Sequence, residues 1–487
     1  MAGCRLKTLP SIQTNYKMNR RSFIQRISLI GGALVFSLPG QSFSFLNAPR
    51  KVKGRVTDGV NGIGGVVVSD GYSVVKTNSG GHYTIKPHAN ASSVWVSTPA
   101  GYEFLHEDGV SRHYHQLGAG KNHDFVLKRL SESDQQHKFI VWADPQVKTK
   151  NDVKQMMDTS VPDVKQLLKT MGSGALVHGI CVGDIVWDNQ KLFQDYNTAV
   201  ARMGIPFFQA LGNHDMDYRM GGDETSDVTF KKTYGPTYYS FNRGKAHYVV
   251  LENVRYLGTD RDYDGYLVEE QLSWLAKDLE HVAKDQLLII NLHIPVHSGV
   301  KNKEALYKVL EGYTNVHIMS GHTHYNKNVI SNGIYEHNHG TVCGAWWTGP
   351  VCEDGTPRGY GVYDVDGTNL KWYYKSTGED RTKQLSAYMD TLDGQKTLTC
   401  NVYNWDPQWK VEYFLDGRSM GTMENQIGFD PLATKLYKGP ELPAGRHFPE
   451  PRKTDHLFVA RIDAAAKRIK VVATDRFGEQ FSTEIDA

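Results

Sequence analysis

The sequence predicts an α/β domain with a largely buried central sheet, flanked on each side by a β-rich domain. Three observations predict it. Short β-rich runs broken by Asp-Gly and Gly-Gly turns fill residues 52–127; apolar strand-length runs alternate with helical spacings over residues 138–360; and beyond residue 360 the helical pattern stops while strand-like runs resume. Alternating strands and helices give a sheet covered by helices, whereas closely spaced strands with turn punctuation give sandwiches. A chain of 487 residues has room for two or three such domains.

The first element, residues 1–48, reads as an export signal. Arg20-Arg21-Ser22-Phe23-Ile24 precedes an apolar stretch over residues 27–38 and then Pro39-Gly40. A basic patch, a short apolar core and a small-residue exit form a bacterial leader, and the arginine pair is of the twin-arginine kind. About a dozen apolar residues are too few for a permanent span. The mature chain is therefore expected to lack a transmembrane segment and to lie in the periplasm or at the cell surface, an uncleaved short anchor being the alternative. Met18 reads as the true start. Cys4 precedes the apolar stretch, which gives no support to a lipid anchor. Cys181, Cys343, Cys352 and Cys400 show neither CxxC nor zinc spacing, and Cys343 and Cys352 are either a periplasmic disulfide or two free thiols.

Residues 50–130 read as a small β-sandwich. Runs at 53–57, 65–69, 72–75, 82–85 and 93–97 are separated by Asp58-Gly59, Asp70-Gly71 and Ser79-Gly80-Gly81. The pattern resembles carboxypeptidase-regulatory or transthyretin-like modules. Polar residues 128–137 read as a linker. The α/β domain is expected over 138–360, with strands at 139–142, 175–182, 206–211, 287–292 and 316–319. Helices are expected at 152–171, 191–203, 268–282 and 304–310, with a hairpin around 242–245. The C-terminal β domain, 361–487, is expected to hold strands at 362–365, 370–374, 397–403, 409–414, 456–462 and 468–474. A formal net charge of +2 without a long basic run argues against a nucleic-acid surface.

Five polar motifs stand just after strand-like runs: Asp144-Pro145-Gln146; Gly183-Asp184, with Asp188 beyond; Gly212-Asn213-His214-Asp215; His293; and Gly321-His322-Thr323-His324. Asp, Asn, Gln and His are ligands for hard and borderline divalent metals. Strand ends of an open α/β sheet converge on one cleft, so five such ends can share a site. The glycines at 183, 212 and 321 permit the tight turns this needs.

Taken together and in this order, the motifs resemble those of the calcineurin-like metallophosphoesterase family over roughly residues 138–350. The resemblance implies a four-layer α/β sandwich with two divalent metals, Mn, Fe, Mg or Zn, at the strand ends. It implies that Asp144, Gln146 and His324 hold one metal, that Asn213, His293 and His322 hold the other, and that Asp184 bridges them. The implied reaction is in-line attack on a phosphate ester by metal-bound hydroxide. His214 would serve the leaving-group oxygen as proton donor or charge stabiliser, with Asp215 orienting its imidazole. Gln146 departs from the family's usual His. A neutral amide oxygen implies looser binding there, by Mn²⁺, Mg²⁺ or Fe rather than tightly held zinc.

Other positions stay open. Asp188 shapes the site or caps a helix. His297 lines the pocket or lies on the surface, and His337 and His339 read as structural. Trp346 and Trp347 either stack on a sugar or base or seal the joint to the C-terminal domain. The expected function is an exported metal-dependent phosphoesterase acting on a phosphorylated small-molecule or glycan-type substrate. Its alternatives are a pyrophosphate or nucleotide hydrolase with the same site, and a non-catalytic metal-containing binding protein.

Overall fold

The computed structural model describes residues 51–486 except 119–121, 393, 441 and 463–465. The export signal and Cys4 therefore lie outside the described residues. None of the described helices is long and apolar enough to cross a membrane.

Two large sheets form the centre. In the seven-stranded sheet, Gln136–Trp142 is flanked on one side by the parallel strands Val177–Cys181 and Phe207–Gln209. The six-stranded sheet contains Ala246–Val250, Leu287–Asn291, Val316–Ser320 and Ile334–Asn338 in that order, all parallel. Their residues are buried nearly throughout, as expected of strands covered on both faces. Aromatic side chains join the sheets: Phe208 stacks on Phe241 at 3.8 Å, and Phe139 meets Tyr248 edge-on at 5.4 Å. The helices Ser160–Thr170, Phe193–Met203 and Glu269–Leu279 each bury one face in the same core. Helices outside, sheets inside: this is the four-layer α/β sandwich.

The single helix expected over 152–171 is two. Lys150–Asp158 starts with a capping box between Thr149 and Asp152, and Ser160–Thr170 follows after a break at Thr159. The boundary expected at residue 360 is also corrected. Gly359–Asp366 and Asn369–Ser376 form an antiparallel edge of the seven-stranded sheet, with Phe139 opposite Tyr363. Hydrogen bonding to a strand more than two hundred residues earlier, rather than local pattern, assigns them to the α/β domain. At the opposite edge, Val110 from the N-terminal module pairs with Phe207.

The N-terminal sandwich packs a three-stranded sheet on a four-stranded one around Val56, Val68, Tyr83, Val94 and Phe125. The C-terminal domain packs two four-stranded sheets around Leu398, Cys400, Val411, Phe458 and Val471. Cys181, Cys343, Cys352 and Cys400 are buried free thiols, so Cys343 and Cys352 are not paired. Both instead lie against the Thr341 hydroxyl, at 3.5 and 3.7 Å.

Candidate metal centre

Parallel pairing brings the carboxyl ends of the motif-bearing strands to one end of the sandwich, and cross-motif contacts then fix their register. The Asp144 carboxylate accepts the His322 N–H at 2.9 Å, and Asp184 accepts the His214 N–H at 2.9 Å. The approach leaves no room for side chains at two glycines. A Cβ on Gly212 would lie 2.3 Å from Asp184 Oδ1, and one on Gly321 would lie 2.6 Å from Asp144 Oδ2. Five of the seven expected ligands, Asp144, Gln146, Asp184, His322 and His324, hold left-handed backbone with φ between 42° and 70°. Such conformations cost energy in non-glycine residues and persist where surrounding contacts over-determine them.

The structure gathers Asp184, Asn213, His293 and His322. His293 Nδ1 donates to the Val182 carbonyl at 2.9 Å, and a carbonyl can only accept, so that nitrogen carries the proton. Its Nε2 is thereby aimed at three acceptors: Asn213 Oδ1 at 3.0 Å, His322 Nδ1 at 3.1 Å and Asp184 Oδ1 at 3.2 Å. Lone pairs this close need a shared metal cation or a proton on His293 Nε2 between them. Burial disfavours charge on His293, yet the Asp184 carboxylate outweighs it and raises the imidazole to about 9. Burial pushes His322 down to about 3, helped by the neighbouring charge on His293. Asp184 would be raised by burial, but His293 and His214 hold it below the ordinary carboxylate range. With a metal in place of the His293 Nε2 proton, two imidazole nitrogens, an amide oxygen and a carboxylate fit a divalent cation.

A second group adjoins it. His324 Nε2 lies 3.6 Å from Asp144 Oδ1, and Gln146 Nε2 lies 3.2 Å from Asp184 Oδ2. Asp144 Oδ1, Gln146 Oε1 and His324 Nδ1 are buried with no hydrogen-bond partner. Buried donors and acceptors are normally paired, so orphaned oxygens at adjacent ligand positions fit a metal. Burial, the largest influence, raises Asp144 and lowers His324 to about 3. Asp184 turns one oxygen to each group.

His214 stands at the edge of this centre, and its orientation corrects an expectation. Nδ1 bonds Asp188 Oδ1 at 2.8 Å, and Arg261 pairs with the other Asp188 oxygen. Asp215 does not touch the imidazole. Its carboxylate accepts backbone N–H groups from Gly212, Val186 and Ile185 at 2.9, 3.1 and 3.2 Å and so holds two motif loops together. The orienting residue is Asp188, which is no helix cap.

The remaining residues divide. Trp347 is buried, and its Nε1 donates to the Pro145 carbonyl at 2.8 Å, supporting the loop between Asp144 and Gln146. Trp346 is half-buried and stacks on His324 at 4.2 Å. His297 packs on the Glu336 carboxylate at 3.2 Å, which also accepts the backbone N–H groups of Val296 and His297. His337 bonds His317, and His339 bonds Tyr363 and the Ser320 carbonyl, all within the core. Sequence reading missed Asn253, whose Oδ1 accepts the N–H groups of His293 and Ile294 at 3.2 and 3.0 Å. A lone polar residue past a strand carries no signal of that kind.

Residues 50–130 match a family model described as the N terminal of calcineurin-like phosphoesterase, 122–326 one described as calcineurin-like phosphoesterase, and 336–481 one described as its C terminal. A dimetal phosphatase from Danio rerio is similar in structure: 14% identity, 50% of this chain and 97% of that chain covered, TM-score 0.36. A purple acid phosphatase from yellow lupin seeds shares 12% identity over 64% of this chain and 67% of its own, with a TM-score of 0.39. No curated protein matches the chain significantly. The three family models run in order across the described residues, and the chain belongs to the calcineurin-like phosphoesterases, metal-dependent hydrolases of phosphate esters, and carries that family's N- and C-terminal flanking domains.

Proposed function

We propose that the chain hydrolyses phosphate esters at a dinuclear centre in which Asp144, Gln146 and His324 hold one divalent cation, Asn213, His293 and His322 hold the other, and Asp184 bridges. The observation that carries this reading is the turning of the two Asp184 oxygens to two adjacent donor groups. Cations bound there would polarise phosphoryl oxygens and lower the pKa of water. His214, with Nδ1 committed to Asp188, keeps Nε2 for a proton delivered to the leaving oxygen. The Asp188 carboxylate holds the ring in that orientation, and Arg261 fixes that carboxylate. Gln146, a neutral oxygen donor, makes its cation the looser one, with Mn²⁺, Mg²⁺ or Fe preferred to zinc. The substrate is a phosphorylated small molecule or glycan.

Elemental analysis and a substrate panel test this. Two ions per chain, with turnover lost on chelation and restored by Mn²⁺ or Fe²⁺, are expected. One ion per chain at saturation would refute the dinuclear assignment. A fully loaded protein that turns over no ester would instead be a metal-containing binding protein.

The reading includes export in folded form, supported by Arg20-Arg21 and the apolar residues 27–38. Replacing both arginines by lysine should retain the protein in the cytoplasm; unchanged fractionation overturns that part.

A further inference from the structure

The C-terminal domain reaches the metal centre through one loop. Arg446 donates to Asp152 Oδ2 at 2.7 Å and to the Trp346 carbonyl, tying the loop to the cap of the helix Lys150–Asp158 and to the tryptophan on His324. Arg452 ties it again: its side chain pairs with Glu353 and its N–H donates to the Glu353 carbonyl at 2.8 Å. Glu353 in turn donates its own N–H to the His324 carbonyl. Both anchors thus land on the loop after Ile334–Asn338, which touches the candidate ligand His324 through the Trp346 ring and the Glu353 N–H. The Arg446–Asp152 pair is largely buried and holds the loop better than an exposed ion pair would, while Arg452, itself exposed, meets a buried Glu353.

Between the anchors stands Phe448. It meets Trp346 at 4.8 Å and Trp187 at 5.5 Å, both steeply inclined, and 49% of it is exposed. The three rings form a wall with a defined position. Trp346 lies against His324, a ligand of the first metal, while the ring centres of Trp187 and His214 lie 5.6 Å apart, steeply inclined. The wall therefore begins at the metal centre and runs outward on the side of the proton donor, the side from which a leaving group departs. Lys148 and Arg446 cover Trp187 at 4.1 and 5.3 Å, so the free aromatic face is that of Phe448. Phe448 is half open on a loop fixed at both ends, so its free face is held beside the other two rings where a bound group can meet it.

We propose that Phe448, Trp346 and Trp187 form a leaving-group subsite, so that the C-terminal domain selects phosphate esters whose alcohol carries a ring with a stackable face. Nucleosides and pyranose sugars share that chemistry: both present a flat apolar face to an aromatic side chain. The inference rests on the hydrolase reading above and adds the specificity residue, Phe448, which no catalytic motif contains.

The test compares kcat/KM of the Mn²⁺-loaded full chain for a nucleoside 5′-phosphate and a hexose phosphate with that for propyl phosphate. In wild type the ring-bearing esters are preferred. Phe448→Ala should lower that preference about 10-fold, mainly through KM, as expected for loss of one stacking contact. Phe448→Tyr should restore it. Phe429→Ala, an exposed aromatic elsewhere on the same domain, should leave the ratio unchanged. A loss confined to one substrate identifies that ring as the occupant, and loss with both assigns the shared face. An equal fall for all three esters, or an unaltered ratio, overturns the subsite while leaving the hydrolase reading standing. Absence of turnover with every ester in wild type would refute that reading and the subsite with it.

Discussion

Replacing Asp188 by asparagine should cripple the enzyme selectively for esters with poor leaving groups. Asp188 Oδ1 is 2.8 Å from His214 Nδ1, its other oxygen pairs with Arg261, and the side chain is 15% exposed. Asparagine keeps the shape and replaces the charged acceptor at His214 Nδ1 with a neutral amide. A hydrogen bond to a charged group contributes about 1.5–3 kcal/mol net, which corresponds to roughly 10- to 150-fold in rate. The pair is mostly shielded from water, so solvent screening removes only part of this. For an alkyl ester, whose alkoxide must be protonated as it leaves, kcat should fall about 30-fold, near the middle of that range. For a nitrophenyl ester, whose leaving group needs no proton, the fall should stay under about 3-fold. Steady-state kinetics on the Mn²⁺-loaded protein measure both. In the His214→Ala background, Asp188→Asn should cost little more, because the carboxylate acts through the imidazole. Equal losses on both esters, or a full additional loss in the double variant, would refute the reasoning.

Asp215→Asn should act on stability instead. Its two oxygens satisfy three buried N–H groups, and an amide turns a donor towards at least one of them, at a cost of roughly 1–3 kcal/mol. A thermal midpoint unchanged from wild type, with an Asp188-like kinetic pattern, would return the orienting role to Asp215. Gln146→His should tighten the first cation in a metal titration, since imidazole is the better donor; an unchanged titration contradicts the ligand assignment. Trp347→Phe removes the bond to the Pro145 carbonyl and should lower stability by about 1 kcal/mol, whereas a raised KM at unchanged stability would make Trp347 a substrate contact. Stability should also fall steeply below pH 6. Burial holds His113 and His317 down to about 3, and His137 and His339 to about 4, all below the unfolded value near 6.5. Their neutral burial therefore contributes stability that is complete above pH 6.5 and is lost as pH falls towards the folded values. At pH 5 each should add a slope of up to about 1.4 kcal/mol per pH unit. A thermal midpoint that stays level from pH 6.5 to 4.5 would contradict this.

The convergence of the polar motifs was legible because each requirement is local. Asp144, Asp184, Asn213, His293 and His322 each follow an apolar run directly, and parallel strands carry such positions to a common end. The partner of His214 was not legible. Asp215 is adjacent in sequence, yet its backbone turn faces it into the loop, while Asp188 arrives from another motif. The strands Gly359–Asp366 and Asn369–Ser376 were recognised as strands but given to the wrong domain, because their partner Gln136–Trp142 is remote in the chain. Trp346 and Trp347 are neighbours of one residue type, yet in one turn the Trp347 ring reaches the Pro145 carbonyl and the Trp346 ring lies on His324.

By itself the sequence determined the α/β sandwich with a β domain on either side, and the polar motifs that meet at its strand ends. Periodicity and motif order are properties of the chain, readable without coordinates. Only the tertiary structure decided that Asp188 serves His214, that Asp215 locks the loops, and that Phe448 stands beside the metal centre from another domain. Those pairings join residues from 26 to 102 positions apart, or direct a side chain within a turn. Their register follows from packing of whole sheets and domains, which no local pattern encodes.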